Sequence, residues 1–416
     1  MRSDPDVLVV GGGAVGLFCA YHLNGRGASV AVIERGTVGG AQSSSSGNTG
    51  FVGTHGVSVL AEPGMLARGL RGLLNPAAPV VVRPGPDREL LRWLTHFRRA
   101  CRDASARDGL DVLVELKQRS LAMLRDLCAR DATFTESGMV LVFKTAQAFS
   151  RAVASVPSAV ARGIPLRALS PASLRELEPD TEFDIHGALY NEEGAFLRVP
   201  SFVTGLGRTL SARGVDIRES TEVVGFGVSG DETVHQVRTT RGDFRPGAVV
   251  IAAGAWSPQC ARLLDVRLTL QPVRGYSVTV EAPPGGPRRP VLLAEGRAAV
   301  SPFGDQVRFA GILELSGLNH GPSRRRADGL RRIVGAYLPG LARARAVQTW
   351  SGLRPCTPDS LPLLGGAETY RNVFVAAGHG AMGMGLAPAS GMLIAQAVAG
   401  EQPDLDLKPF RIGRFG

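Results

Sequence analysis

Three glycines near the N-terminus have the spacing that lets a polypeptide backbone approach a pyrophosphate. The pattern is Gly11-x-Gly13-x-x-Gly16. Its first glycine permits a tight turn, its second allows close approach to the phosphates, and its third allows close packing of a helix on a strand. Glu34 lies 23 residues after Gly11, where a carboxylate accepts hydrogen bonds from a ribose hydroxyl and repels a 2′-phosphate. These residues predict a dinucleotide site.

The elements around these glycines predict a βαβ unit. Residues 6–10 are apolar and predict a strand, residues 14–24 have helical spacing, and residues 29–33 predict a second strand. The N-terminus of the helix would present free N–H groups to the phosphates. The strands, the helix and the acidic terminus make the pattern far more specific than the glycines alone.

Later segments predict a cofactor as long as FAD. Residues 373–385 form a second glycine-rich strand-turn-helix, and residues 248–257 are a strand followed by Ala-Ala-Gly-Ala-Trp-Ser. The glycine- and serine-rich residues 36–56 follow the second strand, a position that favours contact with a cofactor over a linker. A helix N-terminus near residues 383–386 would stabilise negative charge on a flavin ring. The glycine pattern alone leaves NAD open, but the several segments favour FAD.

The composition is that of a globular chain of two or three domains. It has 416 residues and a net charge of +10. Nearly all the positive charge is arginine, which fits a GC-rich coding bias; the alternatives are an anionic membrane surface or an acidic partner. Arg324, Arg325, Arg326, Arg331 and Arg332 are expected to form a solvated helix face, and no nucleic-acid-binding signature accompanies them.

Cysteine usage and hydropathy favour the cytoplasm. The five cysteines are scattered and lack C-x-x-C spacing, so no metal or iron–sulfur site is expected. No signal-peptide layout is visible, and no apolar run is expected to reach the roughly 18 residues that span a bilayer. A peripheral position on the inner membrane face is the alternative, and the oligomeric state stays open.

Periodicity predicts an α/β protein with two interleaved domains. Helices are expected within residues 87–130, broken near 108–109, and at 150–162, 170–178, 200–213, 327–337 and 387–398. Strands are expected at residues 133–144, 223–228, 234–240, 248–252 and 373–376, and in four runs between 268 and 313. The predicted Rossmann-type FAD-binding domain comprises residues 1–80, 190–262 and 350–416. The predicted substrate domain, a large antiparallel sheet with helices, comprises residues 81–189 and 263–349.

Five segments carry a likeness to a known family: residues 9–16, 44–50, 274–277, 350–359 and 377–380. In this order and spacing they resemble the D-amino-acid oxidase superfamily of FAD-dependent oxidoreductases, above all the bacterial D-amino-acid dehydrogenase small-subunit type. The pieces Gly-Leu-Arg-Pro and Gly-His-Gly are the specific ones. The resemblance covers nearly the whole chain.

The resemblance implies oxidative deamination of a small amino acid, most of all a D-amino acid. Hydride would leave Cα for flavin N5, the imine would hydrolyse, and electrons would pass to a quinone, another partner or O₂. The alternatives are an oxidase or dehydrogenase of a cyclic or secondary amine (hydroxyproline, proline, sarcosine or glycine type), or a flavin-bearing subunit of a larger electron-transfer complex. The family's covalent members attach flavin through a cysteine that Cys356 does not match, so non-covalent FAD is expected.

Four residues are the catalytic candidates. Arg354 would grip a substrate carboxylate with a two-pronged hydrogen bond, and Tyr276 would donate to the same carboxylate or position the amine. His379 would line the pocket, tune the reduced flavin or accept the amine proton, and His55 would enter the pocket. The alternatives are a surface ion pair for Arg354, a core position for Tyr276 and a turn-fixing role for His379. A second arginine of the glycine-oxidase pattern is absent, because residues 380–382 are Gly-Ala-Met.

The expected cofactor contacts come from the segments named above, with Val223 touching the adenine end through its backbone. They are Gly11, Gly13, Ala14, Val15, Gly16, Glu34, Arg35, Ser44, Ser45, Asn48, Thr49, Gly50, Val223, Ala253, Gly254, Trp256, Gly378, Gly380, Met382, Gly383, Met384 and Gly385.

Overall fold

The computed structural model describes most of the chain. The described residues are 4–54, 60–61, 64–83, 87–102, 106–129, 131, 133–315, 317–318 and 322–416. The predicted site residue His55 lies outside them. Strands and helices are numbered below in chain order.

A first sheet of six strands carries the predicted βαβ unit. Its strands are β1 (Val7–Val10), β2 (Val30–Ile33), β10 (Asp216–Arg218), β13 (Ala248–Ile251), β19 (Leu363–Gly366) and β20 (Val373–Ala377). They lie in the order β10-β2-β1-β13-β20-β19. All neighbours are parallel except β19 and β20. The central strands are wholly buried because helices cover parallel sheets on their faces.

The helices associated with this sheet are α1 (Ala14–Gly25), α4 (Ala106–Leu127), α7 (Val199–Ala212), α8 (Ser257–Arg262) and α11 (Gly383–Val398). Helix α11 packs closely on α1: a Cβ on Gly391 would stand 2.5 Å from the backbone carbon of Phe18. With the turn before it, the helical stretch Gly380–Val398 has 19 residues and is long and apolar enough to cross a membrane. The expectation that no run reaches that length was therefore wrong. Within this stretch, 61% of the most apolar 18-residue part is buried inside the fold, as in the core helix of a globular protein.

A second sheet of nine strands forms the other layer. Its strands are β4 (Val80–Val82), β6 (Met139–Phe143), β7 (Leu166–Leu169), β8 (Gly187–Asn191), β14 (Gln271–Glu281), β15 (Val291–Leu293), β16 (Ala298–Phe303), β17 (Gln306–Leu315) and β18 (Ala346–Cys356). Their order is β18-β14-β17-β16-β15-β6-β8-β7, with β4 paired to β17. The sheet is antiparallel, as predicted, except that β15 pairs with β6 and β17 with β4 in parallel.

The remaining elements connect and cover the two layers. The strands are β3 (Phe51–Val52), β5 (Phe134–Glu136), β9 (Ala195–Leu197), β11 (Val223–Val228) and β12 (Val234–Thr239). The helices are α2 (Met65–Arg71), α3 (Arg88–Ala100), α5 (Ala146–Ala161), α6 (Pro171–Leu177), α9 (Arg324–Gly335) and α10 (Pro339–Ala342). The predicted cap of α6 is confirmed, since the Ser170 hydroxyl accepts a hydrogen bond from the Ser173 amide at 3.1 Å.

The arginine cluster on α9 is only partly solvated, which corrects the expectation of an exposed face. Arg326 is 5% exposed. It donates to the carbonyl of Asn75 at 2.5 Å and lies 3.7 Å from the carboxylate of Glu314. The helix is amphipathic and packs Leu330 and Ile333 against the second sheet, so the face that carries Arg326 is buried with them. Arg324, Arg325 and Arg332 are exposed.

Both sheets collect strands from distant parts of the chain, which agrees with an interleaved arrangement. The predicted boundary between residues 349 and 350 falls inside β18, because this strand continues its pairing with β14 as far as Cys356. The last segment of chain therefore contributes to both layers. The proposed domain limits remain a prediction in this detail.

Candidate active site

A cleft of about 690 Å³ lies at the carboxyl ends of the parallel strands and reaches β18. Its wall includes Val10 at the end of β1, Ile33 at the end of β2 and Ala252 just after β13. Ligands of open parallel sheets bind at this edge. The volume is that of a site for a small molecule or cofactor.

Most of the predicted residues meet in this cleft. Those that line it are Gly11, Gly13, Ala14, Val15, Glu34, Arg35, Ser44, Ser45, Asn48, Val223, Ala253, Gly254, Trp256, Arg354, His379, Gly380, Gly383 and Met384. The structure does not place Gly16, Thr49, Gly50, Tyr276, Gly378, Met382 or Gly385 in the lining.

The glycine turn leaves room for a ligand on one side only. Gly11 has φ +116°, and a Cβ there would stand 2.4 Å from the carbonyl oxygen of Ala252. A Cβ on Gly16 would stand 1.9 Å from the carbonyl oxygen of Gly11, so this third glycine serves packing. A Cβ on Gly13, in contrast, would meet nothing within 4 Å. No side chain caps the start of α1, so its first amides are available to an anion in the cleft.

Glu34 connects the end of β2 to the glycine turn. One carboxylate oxygen accepts a hydrogen bond from the Gly12 amide at 2.8 Å, and the other accepts one from the Gly36 amide at 2.8 Å. The carboxylate is thereby fixed at the cleft wall, with lone pairs left to accept from a hydroxyl group.

An arginine and a tryptophan form the neighbouring wall. The guanidinium carbon of Arg35 lies 4.4 Å from the centre of the Trp256 ring, a cation–π geometry. Arg35 also lies 3.8 Å from the carboxylate of Glu222. Trp256 belongs to a short 3-10 turn that Gly254 opens at φ +56°. Together with Val223 these residues line the cleft.

The residues from 36 to 50, called here the loop 36–50, cross the cleft and touch the second sheet. The Ser44 hydroxyl donates to the carbonyl of Leu353. The side-chain oxygen of Asn48 accepts from the Gly50 amide at 2.7 Å. Gly50 has φ +76°, and a Cβ there would stand 1.8 Å from the Leu197 carbonyl oxygen. Gly50 therefore permits the close approach of the loop to β9.

Arg354 is a half-buried cation that lines the cleft near the end of β18. Its Nη1 atom is buried and has no hydrogen-bond partner among the described residues. Burial lowers the pKa of the guanidinium from its usual range, but an arginine stays charged near neutral pH. A buried donor without a partner is unfavourable, and this one belongs to a cation that lines the cleft, so the geometry favours an anionic ligand there.

Gly275 makes the position of Arg354 possible. A Cβ on Gly275 would stand 1.4 Å from Nη1 of Arg354. The guanidinium therefore lies directly over the backbone of β14, on the strand next to its own.

Tyr276 does not join Arg354. Successive side chains of a strand face opposite sides of the sheet, so Tyr276 faces away from the side on which the guanidinium covers Gly275. Its ring belongs to the core that the sheet forms with α9. Its hydroxyl donates to the carboxylate of Glu314 at 2.7 Å. Burial, together with that carboxylate, raises the pKa of Tyr276 above its usual value, which keeps the phenol protonated in its core position.

His379 lies in the cleft wall as a neutral ring. It is 2% exposed, and burial lowers its pKa to about 3. Its Nε2 lies 3.0 Å from the hydroxyl of Ser390 on α11. Gly378 and Gly380 on either side have φ of +83° and +56°, which glycine adopts most readily. The histidine is thus held in a tight turn before α11 and carries no charge near neutral pH.

Sequence reasoning missed several cleft residues, of which Gln259 is the most informative. It projects from α8 into the cleft wall, and its buried amide oxygen has no partner among the described residues. Residues 220–222 also line the cleft. Ser220 has φ +51°, a strained conformation for a serine. No local pattern identifies these residues, because a lone glutamine on a short helix is ordinary in sequence.

Comparison with known proteins decides the family. A family described as FAD dependent oxidoreductase, DAO, matches residues 6–397. The chain belongs to this family. The predicted recognition, the predicted fold class and the predicted FAD-dependent oxidoreductase activity are thereby confirmed.

Individual relatives cover the whole length of this family member. It is 31% identical to a D-amino acid dehydrogenase of Rhizorhabdus wittichii, over 98% of this chain and 100% of the relative. It is 30% identical to a D-amino-acid oxidase of Bradyrhizobium diazoefficiens, over 100% of both chains. Among solved structures, glycine oxidase from Geobacillus kaustophilus superposes with a TM-score of 0.76 and 26% identity, over 99% of each chain.

The described residues fit the cofactor of the family. FAD is the group on which this family depends, and non-covalent binding is typical of it. The uncapped amides of α1, the fixed carboxylate of Glu34 and the unpaired amide oxygen of Gln259 offer donors and acceptors for a nucleotide. The cleft extends from them to Arg354 as one continuous space.

Proposed function

We propose that this enzyme is a D-amino-acid dehydrogenase that releases an oxo acid and ammonia. The guanidinium of Arg354, with its unpartnered Nη1, supports the proposal most directly, because an amino acid carries the carboxylate that this cation lacks. The names of relatives such as that from Rhizorhabdus wittichii support the choice of substrate class.

In this proposal Arg354 binds and orients the substrate. Its fork holds the carboxylate by two hydrogen bonds, and Gly275 keeps the guanidinium flat against β14. FAD, when bound, supplies the acceptor for the hydride that leaves Cα. Exclusion of water from the cleft lowers the pKa of the substrate ammonium and favours the neutral amine that the reaction needs.

In this proposal His379 is an uncharged residue of the cleft lining. With a pKa of about 3 it stays uncharged at working pH, and its Nε2 is engaged with Ser390. It therefore places no positive charge beside the flavin, and it fixes the turn before α11. The role of a proton acceptor for the amine is not supported by this geometry.

The cofactor contacts proposed here divide between the two ends of the cleft. Gly11, Gly13 and the first turn of α1 hold the pyrophosphate, and Glu34 accepts from the ribose hydroxyls. Gln259 accepts from the adenosine part through its unpaired oxygen. The loop 36–50 and the start of α11 contact the flavin part, where the helix dipole favours negative charge on the ring.

Anaerobic bleaching of the flavin tests the proposal. The holoenzyme is mixed without oxygen with D-, L- and N-alkyl amino acids, glycine and proline, and the visible absorbance is followed. We expect D-amino acids to bleach the flavin fastest and the same compounds without a carboxylate to bleach it slowly. Bleaching by glycine or proline alone would instead support an amine oxidase or dehydrogenase of the kind to which the solved relatives belong. No bleaching by any member of the panel would overturn the proposal.

The electron acceptor is tested separately. Reoxidation by air with release of peroxide would indicate an oxidase, whereas reduction of a quinone or a dye without peroxide would indicate a dehydrogenase. We expect the second result, in keeping with the relative from Rhizorhabdus wittichii.

A further inference from the structure

Another arginine, which is buried, lies beside the cleft, and the proposed function gives it no role. Arg308 projects from β17 and is 8% exposed. It contacts the loop 36–50, which carries the cleft residues Ser44, Ser45 and Asn48. The inference below rests on the proposal that this cleft holds FAD.

All the described hydrogen-bond partners of Arg308 are neutral. It donates to the carbonyl oxygen of Ser46 at 2.9 Å and to that of Asn48 at 3.4 Å. It also donates to the Thr279 hydroxyl at 3.0 Å and to the side-chain oxygen of Gln348 at 3.3 Å. Among the described residues no carboxylate forms an ion pair with it.

A buried cation without a carboxylate is costly, so its hydrogen bonds must hold it in place. Thr279 comes from β14, which pairs with β17, and Gln348 comes from β18, which pairs with β14 on its other side. Ser46 and Asn48 come from the loop 36–50. The planar guanidinium therefore joins the sheet to the loop, and it does so through loop carbonyl oxygens, which any residue type would provide.

Trp350 makes a second, independent contact between the sheet and this loop. The Trp350 indole N–H donates to the Ala41 carbonyl at 2.6 Å. A Cβ on Gly47 would stand 1.8 Å from the Trp350 ring, so the ring lies flat against the loop. Gly47 lies between Ser46 and Asn48, the two residues whose carbonyl oxygens bind Arg308. The turn at residues 46–48 is thus held from two sides.

We propose that Arg308 is a positioning residue for the cofactor, which fixes residues 46–48 in the conformation that binds the flavin part of FAD. It acts through the loop and not by contact with the substrate. Without it, the loop carbonyls at this turn lose their common donor, and the loop must be ordered when FAD binds. Ordering upon binding reduces the affinity by the entropy that it costs.

Variants at position 308 separate this role from general stability. Arg308→Met keeps the apolar stem and removes the donors. Arg308→Lys keeps the charge but loses the planar fork. The control is Arg289→Met: Arg289 also donates to two backbone carbonyls, those of Ser137 at 2.7 Å and Leu177 at 2.8 Å. Unlike Arg308 it also pairs with a buried carboxylate, that of Glu178 at 3.0 Å, and none of its described partners belongs to the loop 36–50.

The measurements are the dissociation constant of FAD, the visible circular dichroism of the bound flavin, and the melting temperature of each holoenzyme. We expect Arg308→Met to weaken FAD binding about tenfold, the effect of losing one hydrogen bond of a charged group. Its flavin dichroism should change, while the KM of the substrate changes less than the affinity for FAD. Arg308→Lys should fall between Arg308→Met and the wild type. Arg289→Met should lower the melting temperature without altering the dichroism.

Two results would overturn the inference. One is a wild-type FAD affinity and dichroism in both variants of Arg308. The other is an equal loss of FAD affinity in Arg289→Met, which would assign the effect to stability alone. A wild-type protein that binds no FAD would instead contradict the proposed function, so the two failures can be told apart.

Discussion

The two ends of the cleft are built in different ways. The end near Glu34 is built around backbone amides at a glycine turn, placed by a βαβ unit that is local in sequence. The end near β18 consists of side chains that strands from distant parts of the chain bring together. There Arg354 lies over Gly275, and Arg308 holds the loop 36–50.

The two ends of the cleft differ in charge as well as in the sequence separation of the residues that form them. Glu34 is already satisfied by two backbone amides, at 2.8 Å each, before any ligand binds. Arg354 has a buried nitrogen with no described partner. A ligand at the end near Glu34 adds hydrogen bonds to a turn whose own hydrogen bonds are already formed. A ligand at the end near Arg354 neutralises a charge. We therefore expect the largest effects of single substitutions on catalysis at the end near Arg354.

Loss of the Arg354 guanidinium should have the largest effect. Arg354→Met removes the proposed partner of the substrate carboxylate, and we expect kcat/KM to fall about 10²–10³-fold, since removing one member of a buried charge pair costs roughly 2–5 kcal/mol. FAD affinity should be unchanged within about twofold, a difference of roughly 0.4 kcal/mol. Steady-state kinetics and FAD titration measure the two quantities. Arg332→Met, at an exposed position of α9, is the control. An unchanged kcat/KM would remove Arg354 from the site and reduce the contrast between the two ends.

A methyl group under the guanidinium should have a smaller effect. In Gly275→Ala the new Cβ would occupy a point 1.4 Å from Nη1 of Arg354 and displace the fork. We expect KM to rise by up to about 10²-fold, the effect of a misplacement of about 1 Å. Gly205→Ala is the matched control, because a Cβ there meets nothing within 4 Å. If both variants behave alike, the position of the guanidinium does not limit substrate binding.

Substitution of Glu34, at the end of the cleft near the glycine turn, should weaken FAD binding without changing the substrate KM. Glu34→Gln keeps the shape but removes the negative charge that accepts from backbone amides and from a ribose. We expect the dissociation constant of FAD to rise about tenfold, in line with about 1.5 kcal/mol for a charged hydrogen bond. The substrate KM of the FAD-saturated enzyme should stay near that of the wild type. Glu401→Gln, in an exposed pair with Arg26, provides the control. A large change in KM would show that the two ends are not independent.

The last expected effect concerns the pH dependence of stability and not catalysis. Burial lowers the pKa of His379 from 6.5 to about 3. Above pH 6.5 the ring is neutral in both the folded and the unfolded state. As the pH falls from 6.5 towards 3, the unfolded state takes up a proton that the folded state excludes, so the free energy of unfolding decreases.

The variant His379→Gln should therefore lose stability less steeply between pH 6 and 4, where this difference in protonation operates. Urea unfolding at a series of pH values measures the slope. Part of the slope should remain, because burial also lowers the pKa of His22 to about 4. An unchanged slope would mean that the ring of His379 takes up its proton in the folded protein.

Prediction from sequence succeeded where structure is local. The glycine turn, α1 and β2 form from contiguous residues, and the strand β11 was predicted with the bounds that the structure shows, Val223–Val228. The Gly-Leu-Arg-Pro motif identified Arg354 as a site residue, and Arg354 lies in the cleft. The burial of Arg326 was not predicted, because its partner Glu314 is on a strand whose pairing the sequence does not show.

The sequence by itself determined the family, the glycine turn and the presence of a cationic residue in the cleft. These features depend on residue types at short spacings, and short-range geometry follows directly from them. Only the tertiary structure decided that Tyr276 faces the core, that His379 is neutral and that Arg308 joins the sheet to the loop 36–50. Strand alternation, burial and long-range pairing set these properties, and each depends on neighbours that lie far away in the chain.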